Sequence, residues 1–227
     1  VQPGEEITAE TLEDVALFVI SAPLKYTSDY TGDAQPSVFE DEFIQLVKDY
    51  VAGGGTVIVC GLADYQDANS GLPYTTYEQV NKLLEGIGST MRVNDDELID
   101  TNENGGQPYR LYFDDFNTES TDPAVQQVLE GVVDSGLAYS SYSGCSVSVG
   151  EGTAIVYGHD TTYSINSKAP AQGHDKPVQS YSSPYDPDTA VVQMGDVAAM
   201  ATEAVGEGRV FVSGTVFCST FEVAGGD

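Results

Sequence analysis

Basic residues are scarce. Eight lysines and arginines stand against 36 aspartates and glutamates, a formal charge of −28 over 227 residues. Such a field repels phosphate backbones and anionic membrane surfaces, so no nucleic acid is expected to bind this domain. Long apolar runs are missing as well: no stretch approaches the roughly 20 residues of a membrane span, and no membrane insertion is expected. Only three cysteines occur, without Cys-x-x-Cys spacing, which argues against zinc. Cys60 lies inside an apolar run and reads as a small core residue. Cys145 and Cys218 sit in or beside strand-like stretches, and sequence alone leaves their pairing open.

What is present is an ordered alternation. Ala16-Leu17-Phe18-Val19-Ile20 is one apolar run, and Thr56-Val57-Ile58-Val59-Cys60 is a second. Between them Val38, Phe39, Phe43, Leu46, Val47 and Tyr50 recur on one helical face, opened by a Ser37/Glu40 capping box and closed by Gly53-Gly54-Gly55. Two such runs bridged by a helix predict a parallel β-α-β unit with both sheet faces covered. Further helices are expected over Thr8–Asp14, after Thr76 with Gln79 three residues on, and from Asp122-Pro123. Strands are expected at Leu137–Tyr142, Cys145–Val149, Ala154–Tyr157, Ala190–Met194 and Arg209–Thr215, with a short helix-like stretch over Met200–Val205. The fold class read from this order is α/β, with a mainly parallel sheet and an antiparallel extension. The ends, Val1-Gln2-Pro3-Gly4 and Ala224-Gly225-Gly226-Asp227, have linker character. One domain, 1–227, is therefore expected as a segment of a larger protein.

A parallel sheet places ligands at the carboxyl ends of its strands. Lys25 and Tyr26 follow the first run, while Asp64, Tyr65 and Asp67 follow the second. With His159 and Asp160, after a later strand, they form the candidate ligand-binding rim. Asp100-Thr101-Asn102-Glu103-Asn104-Gly105 matches the opening of a calcium loop, with Asp100, Asn102 and Asn104 as alternate oxygen ligands and Asp114 or Asp115 completing the set. Leu111 stands where the bidentate Glu belongs, and an Asn-Gly turn explains the same residues. Ca²⁺ is thus the one cofactor the sequence suggests. Adjacent carboxylates such as Asp114-Asp115 point to opposite faces of a strand and do not flank one bond.

Val51-Ala52-Gly53-Gly54-Gly55-Thr56-Val57-Ile58-Val59-Cys60-Gly61, with Phe18–Pro23 before it and Gly-Arg-Val-Phe-Val-Ser-Gly at 208–214, resembles the glutamine-amidotransferase-like, flavodoxin-type domains. These include relatives of the gliding-motility and trehalose-utilisation proteins. The resemblance implies a three-layer fold of the class I glutamine-amidotransferase type, with helices on both faces of the sheet. It also implies an extracellular or cell-surface setting within a multidomain microbial protein. The catalytic branch of that fold needs a Gly-x-Cys-x-Gly elbow and a His-x-Glu pair. Cys60 follows Ile58-Val59, so a Cys60/His159/Asp160 triad is the weaker alternative. The expected function is a non-catalytic accessory domain that binds other domains of its parent or an unidentified ligand. A cysteine-dependent or metal-assisted hydrolase is the alternative.

Overall fold

The computed structural model describes residues 6–23, 38–63, 76–94, 96–166 and 197–216. In chain order the elements are α1 (Ala9–Leu12), β1 (Leu17–Ile20), α2 (Asp41–Ala52), β2 (Thr56–Cys60), α3 (Thr76–Ile87), β3 (Arg92–Val93), β4 (Asp96–Ile99), β5 (Arg110–Phe113) and β6 (Asp115–Phe116). After them come α4 (Pro123–Leu129), a 3-10 turn at Val133–Ser135, β7 (Tyr139–Tyr142), β8 (Val147–Ser148), β9 (Thr153–Tyr157), β10 (Tyr163–Asn166), β11 (Ala198–Val205) and β12 (Gly208–Ser213).

The first unit folds as its pattern dictates. β1 pairs in parallel with β2, Leu17 opposite Thr56 and Ile20 opposite Val59, with α2 between them in the chain. α2 stops where Gly54 adopts φ +95°, a conformation cheap only for glycine. Its start differs from expectation: Glu40 is the N-cap and makes no side-chain cap bond. Gln79 likewise does not cap α3; its Oε1 accepts the Phe39 N–H at 3.1 Å and ties α3 to the start of α2.

The rest departs from a three-layer α/β fold. The main sheet runs β1-β2-β12-β11-β9-β6, and three further two-stranded sheets pair β10 with β4, β3 with β8, and β5 with β7. Among the described residues only β1–β2 and β2–β12 are parallel; the other strand pairings are antiparallel. The described residues are therefore mostly β, with four α-helices among them, two of four and seven residues. This overturns the flavodoxin-type, amidotransferase-like expectation. Part of the cause is β11. Ala198-Ala199-Met200-Ala201-Thr202-Glu203-Ala204-Val205 contains good helix formers, yet it lies between β12 and β9, and pairing on both edges overrides propensity.

The two faces of the main sheet are covered differently. On one, Val57, Val59, Val210 and Val212 pack against Val47 and Val51 of α2 and Val80, Leu83 and Leu84 of α3. On the other, Phe211, Ala199 and Val156 pack against Leu111 and Phe113 of β5, Tyr139 of β7 and Val125 and Leu129 of α4. That second cover does not reach β1, where Leu17 and Val19 stay 48% and 47% exposed. The sheet is closed on both faces only over its centre.

α4 is fastened to β12 by charge. Asp122 accepts the Ala124 N–H at 2.8 Å, and its Oδ2 lies 2.9 Å from Arg209 Nη1. Burial raises the Asp122 carboxyl, but the Ala124 and Val125 amides and the Arg209 guanidinium outweigh it and hold the group below its ordinary 3.8. A carboxyl depressed in the folded state adds stability above its unfolded value, lost as pH falls through the folded one. Arg209→Gln should therefore flatten the loss of thermal midpoint below about pH 4, relative to wild type. Parallel melting profiles from pH 6 to pH 3 would remove this role. No described helix is long and apolar enough to cross a membrane.

Candidate functional site

The carboxyl end of β2, one of the strand ends where a ligand rim was expected, and that of the neighbouring β12 are hydrogen-bonded to the protein's own backbone. Gly61 N–H donates to Ser213 O at 2.7 Å, Ala63 N–H to Ser143 O at 2.9 Å, and Cys145 N–H to Gly214 O at 2.8 Å. Beneath this cover Tyr139 shares a 2.6 Å hydrogen bond with Ser213 Oγ, and Ser213 Oγ donates to Thr215 O. Burial pushes the Tyr139 hydroxyl far above the usual tyrosine range, only partly offset by Ser213. Cys60 is 1% exposed and Cys145 is fully buried. Lys25, Tyr26, Asp64, Tyr65 and Asp67 lie outside the described residues, as do Cys218, Ala190–Met194 and the Ser37 half of the predicted capping box.

His159 follows β9 and meets the ends of β4 and β5. Its Nδ1 lies 3.9 Å from Asp100 Oδ2 and 3.7 Å from Glu103 Oε2, and its Nε2 lies 3.5 Å from Asp114 Oδ1. The Phe113 ring stands edge-on at 5.2 Å. The imidazole is 12% exposed, and its buried Nδ1 has no hydrogen-bond partner. The structure thus brings together His159, Asp100 and Asp114, which the sequence had assigned to two separate sites, and adds Glu103. Asp160 is exposed and Asp115 sits in β6 opposite Tyr157. Both ring nitrogens of His159 face carboxylates.

The calcium-loop reading is corrected by the same residues. Asp100 is fully buried, and both its oxygens are filled by the protein. Oδ1 accepts the N–H groups of Asn102 and Glu103 at 2.8 Å, while Oδ2 accepts the hydroxyls of Thr161 at 2.8 Å and Thr162 at 3.0 Å. Asn104 donates from Nδ2 to Asp100 O and accepts Gly106 N–H at Oδ1. These are Asx-type turns, in which backbone donors take the places a cation would fill. Asp115 is exposed, and among the described residues no group of three or more His, Cys, Asp or Glu is arranged to hold a metal ion.

A surface the sequence reading missed lies at the other end of the sheet. α1, the start of β1 and the Gly53–Gly55 turn enclose an open cleft of about 730 Å³. Leu12, Val15, Ala16, Leu46 and Tyr50 form its apolar lining, with Glu10, Glu13 and Asp49 at its rim. Tyr50 holds the corner by donating its hydroxyl to Val15 O at 2.9 Å. The cleft leads to β1, the outermost strand of the sheet, which carries the exposed Leu17 and Val19. The available signal was Glu13-Asp14 directly before an apolar run; reading that run as buried on both faces concealed it.

No protein-family model matches this chain, and no curated protein matches it. Among solved structures it is similar to the mmIFT52 N-terminal domain, with a TM-score of 0.53 and 18% identity over 93% of this chain and 70% of that one. That likeness concerns the fold, and it agrees with the mixed sheet rather than a three-layer α/β arrangement.

Proposed function

We propose that this is a non-catalytic domain that binds another polypeptide segment, as one module of a larger protein. The observation that carries the reading is the open outer strand β1. Its apolar side chains Leu17 and Val19 are half exposed, and among the described residues no strand pairs with its free edge. Edge strands of this composition are normally blunted by charge, proline or a cover, because unpaired N–H and C=O groups recruit another strand. β1 carries neither charge nor proline within Leu17–Ile20. The candidate chemical groups favour the same reading. The Cys60 and Cys145 side chains are buried, and the two hydroxyls near His159 are spent on Asp100. The structural neighbour is itself titled an N-terminal domain, a part of a longer protein.

Hydrogen exchange tests this directly. The amides of residues 17–20 should exchange at least about tenfold more slowly in the full-length parent polypeptide than in the isolated domain, while those of β12 stay unchanged. Equal exchange of β1 in both forms would end the proposal.

A further inference from the structure

We infer that the occupant of β1 and its adjoining cleft is an extended segment with basic side chains, added as an outer strand. This rests on the binding-domain reading above and specifies the partner's chemistry. Three observations carry it. First, among the described residues no strand pairs with the outer edge of β1, whose backbone groups meet the requirement for strand addition. Secondly, both faces of the strand offer apolar surface: Leu17 and Val19 lie exposed on the face away from α2, while Val15, Ala16, Leu12 and Leu46 line the cleft beside the strand's start. A segment paired with β1 therefore places one set of alternate side chains beside Leu17 and Val19, and at the strand's start meets the apolar floor of the cleft with the other. Thirdly, the cleft residues that carry charge are Glu10, Glu13 and Asp49, all exposed and all acidic.

Charge also decides between occupants. A second copy of this chain would bring another −28 to the interface and juxtapose like-charged rims. A basic segment meets the rim with opposite charge, which speeds encounter and fixes register, while main-chain pairing and the apolar floor supply affinity. An acidic or neutral strand gains the pairing but not the rim.

The test uses a fluorescent ten-residue peptide of alternating lysine and valine, its glutamate–valine counterpart, and a lysine–valine peptide N-methylated at every second residue. Binding is followed by anisotropy at 0.15 M salt. The basic peptide should bind saturably, and the acidic and N-methylated peptides at least tenfold more weakly. Val19→Lys should weaken binding at least tenfold. Glu10→Gln with Glu13→Gln should weaken it about fivefold and flatten its salt dependence. Val19 is half exposed, so the variant should keep the wild-type thermal midpoint; Leu17→Lys serves as a second variant at the same strip. Equal binding of the N-methylated peptide, or no loss in either β1 variant, would show diffuse attraction to an acidic surface and overturn the inference. Self-association abolished by Val19→Lys would name a second copy as occupant and overturn it too. Slow exchange of β1 in the parent without peptide binding would sink the basic-segment inference alone, leaving the binding-domain reading intact.

Discussion

Asp100→Ala should lower the unfolding free energy by about 3 kcal/mol or more, one of the largest single-residue effects expected in this chain. The carboxylate is fully buried and accepts four protein donors: the N–H groups of Asn102 and Glu103 and the hydroxyls of Thr161 and Thr162. It joins the end of β4 to the turn after β9, two segments about 60 residues apart in the chain. Truncation strands two amides and two hydroxyls where water enters poorly, and each unmet buried donor costs about 1–3 kcal/mol. The costs do not add fully, because Thr161 is only partly buried and the 101–107 turn can relax toward solvent. Asp100→Asn keeps one oxygen for the two amides, and the threonine hydroxyls can rotate to accept from its NH₂, so about 1 kcal/mol is expected there. Urea unfolding of the three proteins checks the order. If the alanine variant matched wild type, the knot at Asp100 would be incidental. Calcium should leave the wild-type midpoint where it is, since the oxygens are taken.

How much of this was legible in the residues depends on how local each signal is. The β1–α2–β2 unit rests on apolar periodicity, a triple glycine and two β-branched runs within 45 positions. The start of α4 rests on Asp122-Pro123, and Asp122 does accept the Ala124 amide. What could not be read is which layer faces which. The short runs at β3, β4 and β5 carry no alternation long enough to register, yet each pairs with a distant partner, as β4 does with β10. Four consecutive buried residues at Asp96-Glu97-Leu98-Ile99, two of them acidic, run against any rule linking charge to exposure. Asp96 is tolerated because Ser146 donates to it from both N–H and Oγ, a partner 50 residues away. Meeting points such as His159 with Asp100 and Asp114 are equally non-local.

The other large effect is expected at Gly214→Ala, and it bears on why the strand ends hold no crevice among the described residues. Gly214 follows β12, and its backbone is used at both ends: its N–H donates to Ala199 O at 2.9 Å, and its carbonyl accepts Cys145 N–H at 2.8 Å. A Cβ there would land on the carbonyl oxygen of Cys145 and lie 3.2 Å from that of Ala199. Backbone cannot rotate aside as a long side chain can, so the variant must pull the 143–146 turn away from β12. Overpacking costs about 1–3 kcal/mol, and the strained or lost hydrogen bonds add to it, so a loss of about 3 kcal/mol or more is expected. Thiol chemistry supplies a local readout. In a Cys218→Ser background, Cys60 and Cys145 should resist iodoacetamide in the wild-type fold, because both side chains are buried. In Gly214→Ala both should label under conditions where circular dichroism still reports a folded chain, as the turn opens ahead of the sheet. Rapid labelling of Cys60 without the substitution would instead show an accessible thiol at the end of β2, and the cysteine-dependent hydrolase would return as a competitor to the binding domain. Slow labelling in both proteins would mean that the turn tolerates the methyl group and that closure of the strand ends does not depend on glycine.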